Sequence, residues 1–136
     1  MKKPFLYILF GLMPYWCFGQ AEFKTFIPGG YAVLDSASGD LNKDGIRDIV
    51  LILKKTNEDT QNETQRPLLI LHGSKGKKYV PAAKNDKVVL CAACGGVFGD
   101  PYVGIVIKKK YFSIEHYGGS NWRWNRIITI KYDVKR

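Results

Sequence analysis

Beyond residue 20 the chain alternates short apolar runs with polar or glycine-rich breaks, and no stretch sustains a helical repeat of about 3.6 residues. The pattern predicts strands over Tyr31–Ser36, Ile46–Lys54, Pro67–His72, Lys77–Val80, Lys87–Cys91, Val103–Lys108, Tyr111–Tyr117 and Trp122–Val134. The last run alternates most cleanly. Trp122, Trp124, Ile128, Ile130, Tyr132 and Val134 fall on one face, and Arg123, Asn125, Thr129, Lys131 and Asp133 on the other, as in a strand buried on one side. Gly118-Gly119-Ser120 before it is a hairpin signal, so this strand and its predecessor are predicted to pair antiparallel. The expected class is all-β: an antiparallel sheet, a sandwich or a small barrel. An edge strand this apolar needs either a central place in the sheet or a partner along its edge.

Two breaks are long. Lys55–Arg66 encloses TNEDTQNETQ, which has no apolar anchor and reads as a loop between strands. Cys94–Tyr102 is glycine-rich and ends in Asp100-Pro101. A phosphate cradle would need a helix behind it, whereas the residues that follow are strand-like, so a structural turn is expected.

The chemistry concentrates in a third break. Asp40–Asp48 reads DLNKDGIRD, placing oxygen-bearing side chains at its first, third, fifth and ninth positions and a glycine at its sixth. Short acidic and amide side chains on alternate residues of a tight loop converge on one point, which suits the six to eight oxygens that Ca²⁺ requires. Asp40, Asn42, Asp44 and Asp48 are the candidate side-chain ligands, Ile46 offers its backbone carbonyl, and Gly45 permits the sharp turn. The competing reading is an Asx-rich turn with no ion. An EF-hand would place Glu at the twelfth position and a helix afterwards; Leu51 stands there, and the loop opens a strand.

Gly39–Leu53, GDLNKDGIRDIVLIL, resembles the calcium loop and following strand of the FG-GAP and VCBS repeats, with the likeness covering Leu34–Leu53. The resemblance implies a bound Ca²⁺ and a propeller-like context. Asn42 stands where that family more often has Asp, leaving three carboxylates and a weaker site. Only one copy of the motif occurs, and a propeller blade takes about 40–50 residues, so a partial propeller-like module with one calcium-loop hairpin is the form to expect. The chain also resembles small exported bacterial proteins with one such loop followed by segments like Cys94–Pro101 and His116–Trp124. That resemblance implies a class and no activity.

The N-terminus fits a compartment where weak calcium sites fill. Met1–Lys3 is basic, Phe5–Met13 is apolar, and Cys17-Phe18-Gly19 presents small residues for signal-peptidase cleavage before Gln20. Residues 1–19 are therefore expected to be a signal peptide and 20–136 a single periplasmic or secreted domain with no transmembrane span. Trp16 stands where lipoprotein processing at Cys17 wants a small residue. Cleavage removes Lys2 and Lys3 and lowers the net charge from +9 to +7. The remaining clusters, at Lys75–Lys78, Lys108–Lys110 and Arg123 with Arg126, attract anionic partners, but export argues against nucleic acid.

Cys91 and Cys94 are expected to form a disulfide in an exported chain. A redox-active pair would instead sit at a helix N-terminus, and a zinc site would need both His72 and His116 at a spacing that fits no zinc motif. No nucleophile elbow or metalloprotease helix accompanies Asp86, Asp100, His72 and His116, the residues a hydrolase would have to use. The expected function is a non-enzymatic, calcium-binding β module that binds an unknown macromolecule or envelope component. The alternative is a carbohydrate or peptide platform at Trp122 and Trp124.

Overall fold

The computed structural model describes residues 23–76 and 78–133, and the predicted leader, Lys77 and Val134 lie outside them. Among the described residues seven strands form two antiparallel sheets: β1 Tyr31–Gly39, β2 Asp48–Lys55, β3 Arg66–Ser74 and β4 Lys78–Val89 in one, β5 Tyr102–Lys108, β6 Tyr111–Gly119 and β7 Arg123–Lys131 in the other. Each sheet is a meander in chain order, each strand pairing with the one that follows it. The all-β expectation holds, in sandwich-like form with no closed barrel. No helix among the described residues is long and apolar enough to cross a membrane.

β2 is the centre of the molecule. Its run from Asp48 to Leu53 is buried without interruption, and the alternation of strand side chains divides it between two cores. Val50 and Ile52 face the second sheet and join Leu41, Leu68, Ile70, Val89, Phe112 and Ile114. Ile49, Leu51 and Leu53 face the opposite way with Leu71, under Phe23, Phe26 and Ile27 of the N-terminal 3₁₀ turn. A strand covered on both faces must be apolar at every position, which explains the unbroken IVLIL.

The structure differs from the expected strands at β4. Lys77–Val80 and Lys87–Cys91 appear in sequence as two strands parted by the breakers Pro81 and Asn85-Asp86, yet Lys78–Val89 is one continuous strand. Register shifts opposite β3, between Arg66 and Leu68 and between Ile70 and Leu71, absorb the irregular residues. A proline is tolerated because β4 lies at the sheet's edge. Cys91 falls outside the strand and precedes a 3₁₀ turn over Ala92–Gly95.

The remaining edges of the sheets meet. β1 lies beside β5, where a Cβ on Gly39 would come within 2.6 Å of Ile107 Cγ2, and the Tyr102 hydroxyl donates to Asp35 Oδ2 at 2.8 Å. Among the described residues that leaves β4 and β7 as the outer strands.

Candidate functional site

Asp40–Arg47 is the turn of the β1–β2 hairpin, closed where Gly39 pairs with Asp48. Its winding follows from Asx chemistry: short side chains at the start of a turn capture amides two to five residues on. Asp40 Oδ1 accepts from the Asp44 N–H at 3.2 Å and Oδ2 from the Gly45 N–H at 3.0 Å. Asn42 Oδ1 also accepts from Asp44 N–H, at 3.0 Å, and Asp44 Oδ1 accepts from Ile46 N–H at 2.8 Å. Asn42 Nδ2 donates to Asp44 Oδ2 at 2.9 Å. The curl needs left-handed backbone at Lys43 and at Gly45, whose φ is +82°.

Asp48 has different surroundings. It is wholly buried, and its Oδ2 accepts from the N–H groups of Leu41 at 2.8 Å and Asn42 at 3.3 Å. Its Oδ1 reaches across to β3 and accepts from Gly73 N–H at 3.0 Å. One carboxylate thereby joins the start of the loop, β2 and β3. Gly73 makes the approach possible, because a Cβ there would lie 2.2 Å from the Arg47 carbonyl oxygen and 2.7 Å from Ile46 Cγ2. Leu41, 1% exposed, anchors the loop in the inter-sheet core.

Of the five candidate metal residues, Asp40, Asn42, Asp44 and Ile46 are thus knit together in the exposed curl, whereas the Asp48 side chain is spent on three amides beneath it. Among the described residues no three His, Cys, Asp or Glu side chains stand close enough together to hold a metal ion. The curl still suits a hard cation in donor type. Each oxygen of Asp40, and Oδ1 of Asn42, accepts one amide, and such oxygens have a second lone pair.

His72 stands against Asp48, its Nδ1 3.0 Å from Oδ1 but out of line for a hydrogen bond. A histidine against a buried carboxylate is the usual outline of a general base. Here both ring nitrogens are shielded and without hydrogen-bond partners among the described residues, and the ring stands edge-on to Tyr132 at 4.9 Å, so neither nitrogen is placed to meet a substrate. His116 is also spent. Its Nε2 accepts from Leu90 N–H at 3.1 Å, and burial, aided by the charge of Arg126, lowers its pKa and keeps it neutral.

A second polar centre was not legible in the sequence. Arg66, 1% exposed at the start of β3, makes paired hydrogen bonds to Glu58 at 2.7 Å and to Asp100 at 2.7 and 2.6 Å. It fastens the polar 55–66 loop and the glycine-rich 94–102 loop to the start of β3. Burial alone would lower its pKa, but the two carboxylates raise it above the ordinary arginine value. Burial likewise pushes the Asp100 pKa up, and the Arg66 hydrogen bonds and Tyr102 N–H overcome that and hold it below the ordinary carboxylate value. A Glu in a polar run is the sole local sign, and nothing local pairs it with Arg66.

Cys91 and Cys94 are joined by a disulfide, with Cα atoms 5.1 Å apart. The two tryptophans differ: Trp122 is 88% exposed on the β6–β7 turn, while Trp124 is partly buried and its Cζ2 would lie 2.5 Å from a Cβ on Gly118. No family model matches the chain, and neither a curated protein nor a solved structure does.

Proposed function

We propose that the chain is an exported β module that takes up one Ca²⁺ in the Asp40–Asp48 loop and acts by binding another macromolecule, without a reaction of its own. The observation that carries the ion is the winding of the curl, which draws the oxygens of Asp40, Asn42 and Asp44 onto shared amides while leaving them lone pairs. Those three side chains, the Ile46 carbonyl and solvent would hold the ion. Asp48, although its spacing offers it as a ligand, braces the loop from below. The ion's contribution is electrostatic: it neutralises the clustered carboxylates and fixes the hairpin turn.

Export is supported by the basic and apolar start of the sequence and by the Cys91–Cys94 bridge. A non-catalytic role is supported by the two histidines, whose nitrogens are committed or shielded. The exposed indole of Trp122 favours a second reading, a sugar or peptide contact through that ring alone.

Isothermal titration calorimetry tests the ion. For an extracellular-type dissociation constant of roughly 10⁻⁴ M, about 1 mM Ca²⁺ should stabilise the fold by about 1.4 kcal/mol. Asp44→Ala should abolish both the heat and the stabilisation. Absence of binding heat, with wild type and Asp44→Ala melting alike with and without Ca²⁺, overturns the proposal.

A further inference from the structure

The two outer strands are protected very differently. β4 carries Pro81, two register shifts and the lysines Lys78, Lys84 and Lys87, the usual devices that stop a sheet edge from pairing further. β7 has none of the structural ones: it pairs with β6 in nine consecutive residues without a shift, from Arg123 opposite Gly119 to Lys131 opposite Tyr111, and contains no proline.

The register shows which of its amides are free. Tyr132 N–H donates to the Lys110 carbonyl at 2.9 Å. That bond continues the β6–β7 ladder by one step, so the even-numbered residues of β7 form the hydrogen-bonded pairs with β6, by the alternation of antiparallel ladders. Asn125, Ile127, Thr129 and Lys131 therefore direct N–H and C=O away from β6, along an edge that no strand among the described residues covers. Ile127 is 56% exposed beside them, and the edge begins near Phe98, whose ring packs on Tyr117 at 5.8 Å and has the Arg123 guanidinium 5.4 Å from its centre.

The charge selects the occupant. β7 contributes Arg123, Arg126 and Lys131 and no acidic residue; the nearest acids are Glu115 opposite Ile127 on β6 and Asp133 beyond the strand. A second copy paired antiparallel about Ile127 would set Arg123 opposite the copy's Lys131 at both ends of the strand pair, which is unfavourable. An acidic strand would meet complementary charge instead. The geometry points to β7 as a docking edge for an extended acidic segment of another protein, added as a further strand with an apolar side chain against Ile127 or Trp122. This deepens the reading of the chain as a binding module, but it rests on β7 and is independent of the loop and its ion.

The test uses a fluorescein-labelled synthetic peptide of alternating Val and Glu, its Val/Lys counterpart and polyglutamate, with the whole protein in EDTA so that failure of calcium uptake does not enter. The Val/Glu peptide should raise anisotropy saturably, and the other two should bind at least about tenfold more weakly. Ile127→Pro removes an N–H that β6 does not use, so it should keep the wild-type circular dichroism and lose binding by about tenfold or more. Arg126→Glu should also weaken binding, whereas Lys84→Glu on β4 should not. Should Ile127→Pro unfold, hydrogen exchange replaces it: the amides of Ile127, Thr129 and Lys131 should exchange rapidly in the free protein and slowly with peptide. No binding, equal binding of polyglutamate, a folded Ile127→Pro that binds like wild type, or amides unprotected by peptide each overturns the assignment.

Discussion

Replacing Asp48 with Ala in calcium-free buffer should unfold the protein far more readily than replacing Asp40, two positions that the spacing of the loop sequence treats alike. The carboxylate removed is wholly buried and accepts from Leu41, Asn42 and Gly73 at 2.8, 3.3 and 3.0 Å. Water can reach the half-exposed Asn42, but Leu41 and Gly73 are buried, and each amide stranded there costs about 1–3 kcal/mol, so the loss is roughly 4 kcal/mol. Asp48→Asn keeps one acceptor oxygen and turns an NH₂ against the remaining amides, for about half that loss. Asp40 serves Asp44 and Gly45, both exposed, and its removal should cost under about 1 kcal/mol because water replaces it. At about 4 °C per kcal/mol for a domain of this size, Asp48→Ala should melt about 15 °C below wild type. Urea unfolding in EDTA, followed by circular dichroism, measures the difference directly, with unchanged slopes showing that the same transition is compared. A loss for Asp48→Ala no greater than that for Asp40→Ala would refute the assignment of Asp48 as the brace.

Arg66→Ala leaves the nearly buried Glu58 carboxylate unpaired and should cost about 3–5 kcal/mol, while Asp100→Asn, at a side chain 43% exposed, should cost markedly less; urea midpoints rank the two. His116 is neutral when folded, its pKa lowered by burial and by Arg126, so the unfolded chain takes up its proton first as pH falls below about 6.5. Stability from this group is complete above that pH and declines as the pH drops toward the folded-state value; His116→Gln should flatten the slope of unfolding free energy between about pH 7 and 5. Reducing Cys91–Cys94, or replacing both with Ser, should lower stability by about 2 kcal/mol, the entropy of so short a closed loop, and a change below about 0.5 kcal/mol in urea titration would count against that origin.

Much of the architecture was legible from residue order because its causes are local. Alternation at Trp124, Ile128 and Ile130, an unbroken IVLIL, and glycine turns specify strands and hairpins through side-chain direction and backbone freedom, which act over a few residues. The curl at Asp40–Ile46 belongs to the same class, since Asx side chains and Gly45 capture amides no more than five positions away. Tertiary structure alone decided the rest. Asp48 finds Gly73 across a sequence separation of 25, Arg66 finds Asp100 across 34, and β4 runs through Pro81 because it happens to lie at an edge. Which partner a buried charge meets, and which strand is left uncovered, depends on how the two meanders stack. Residue order encodes that only through the total free energy of packing and not through any local pattern.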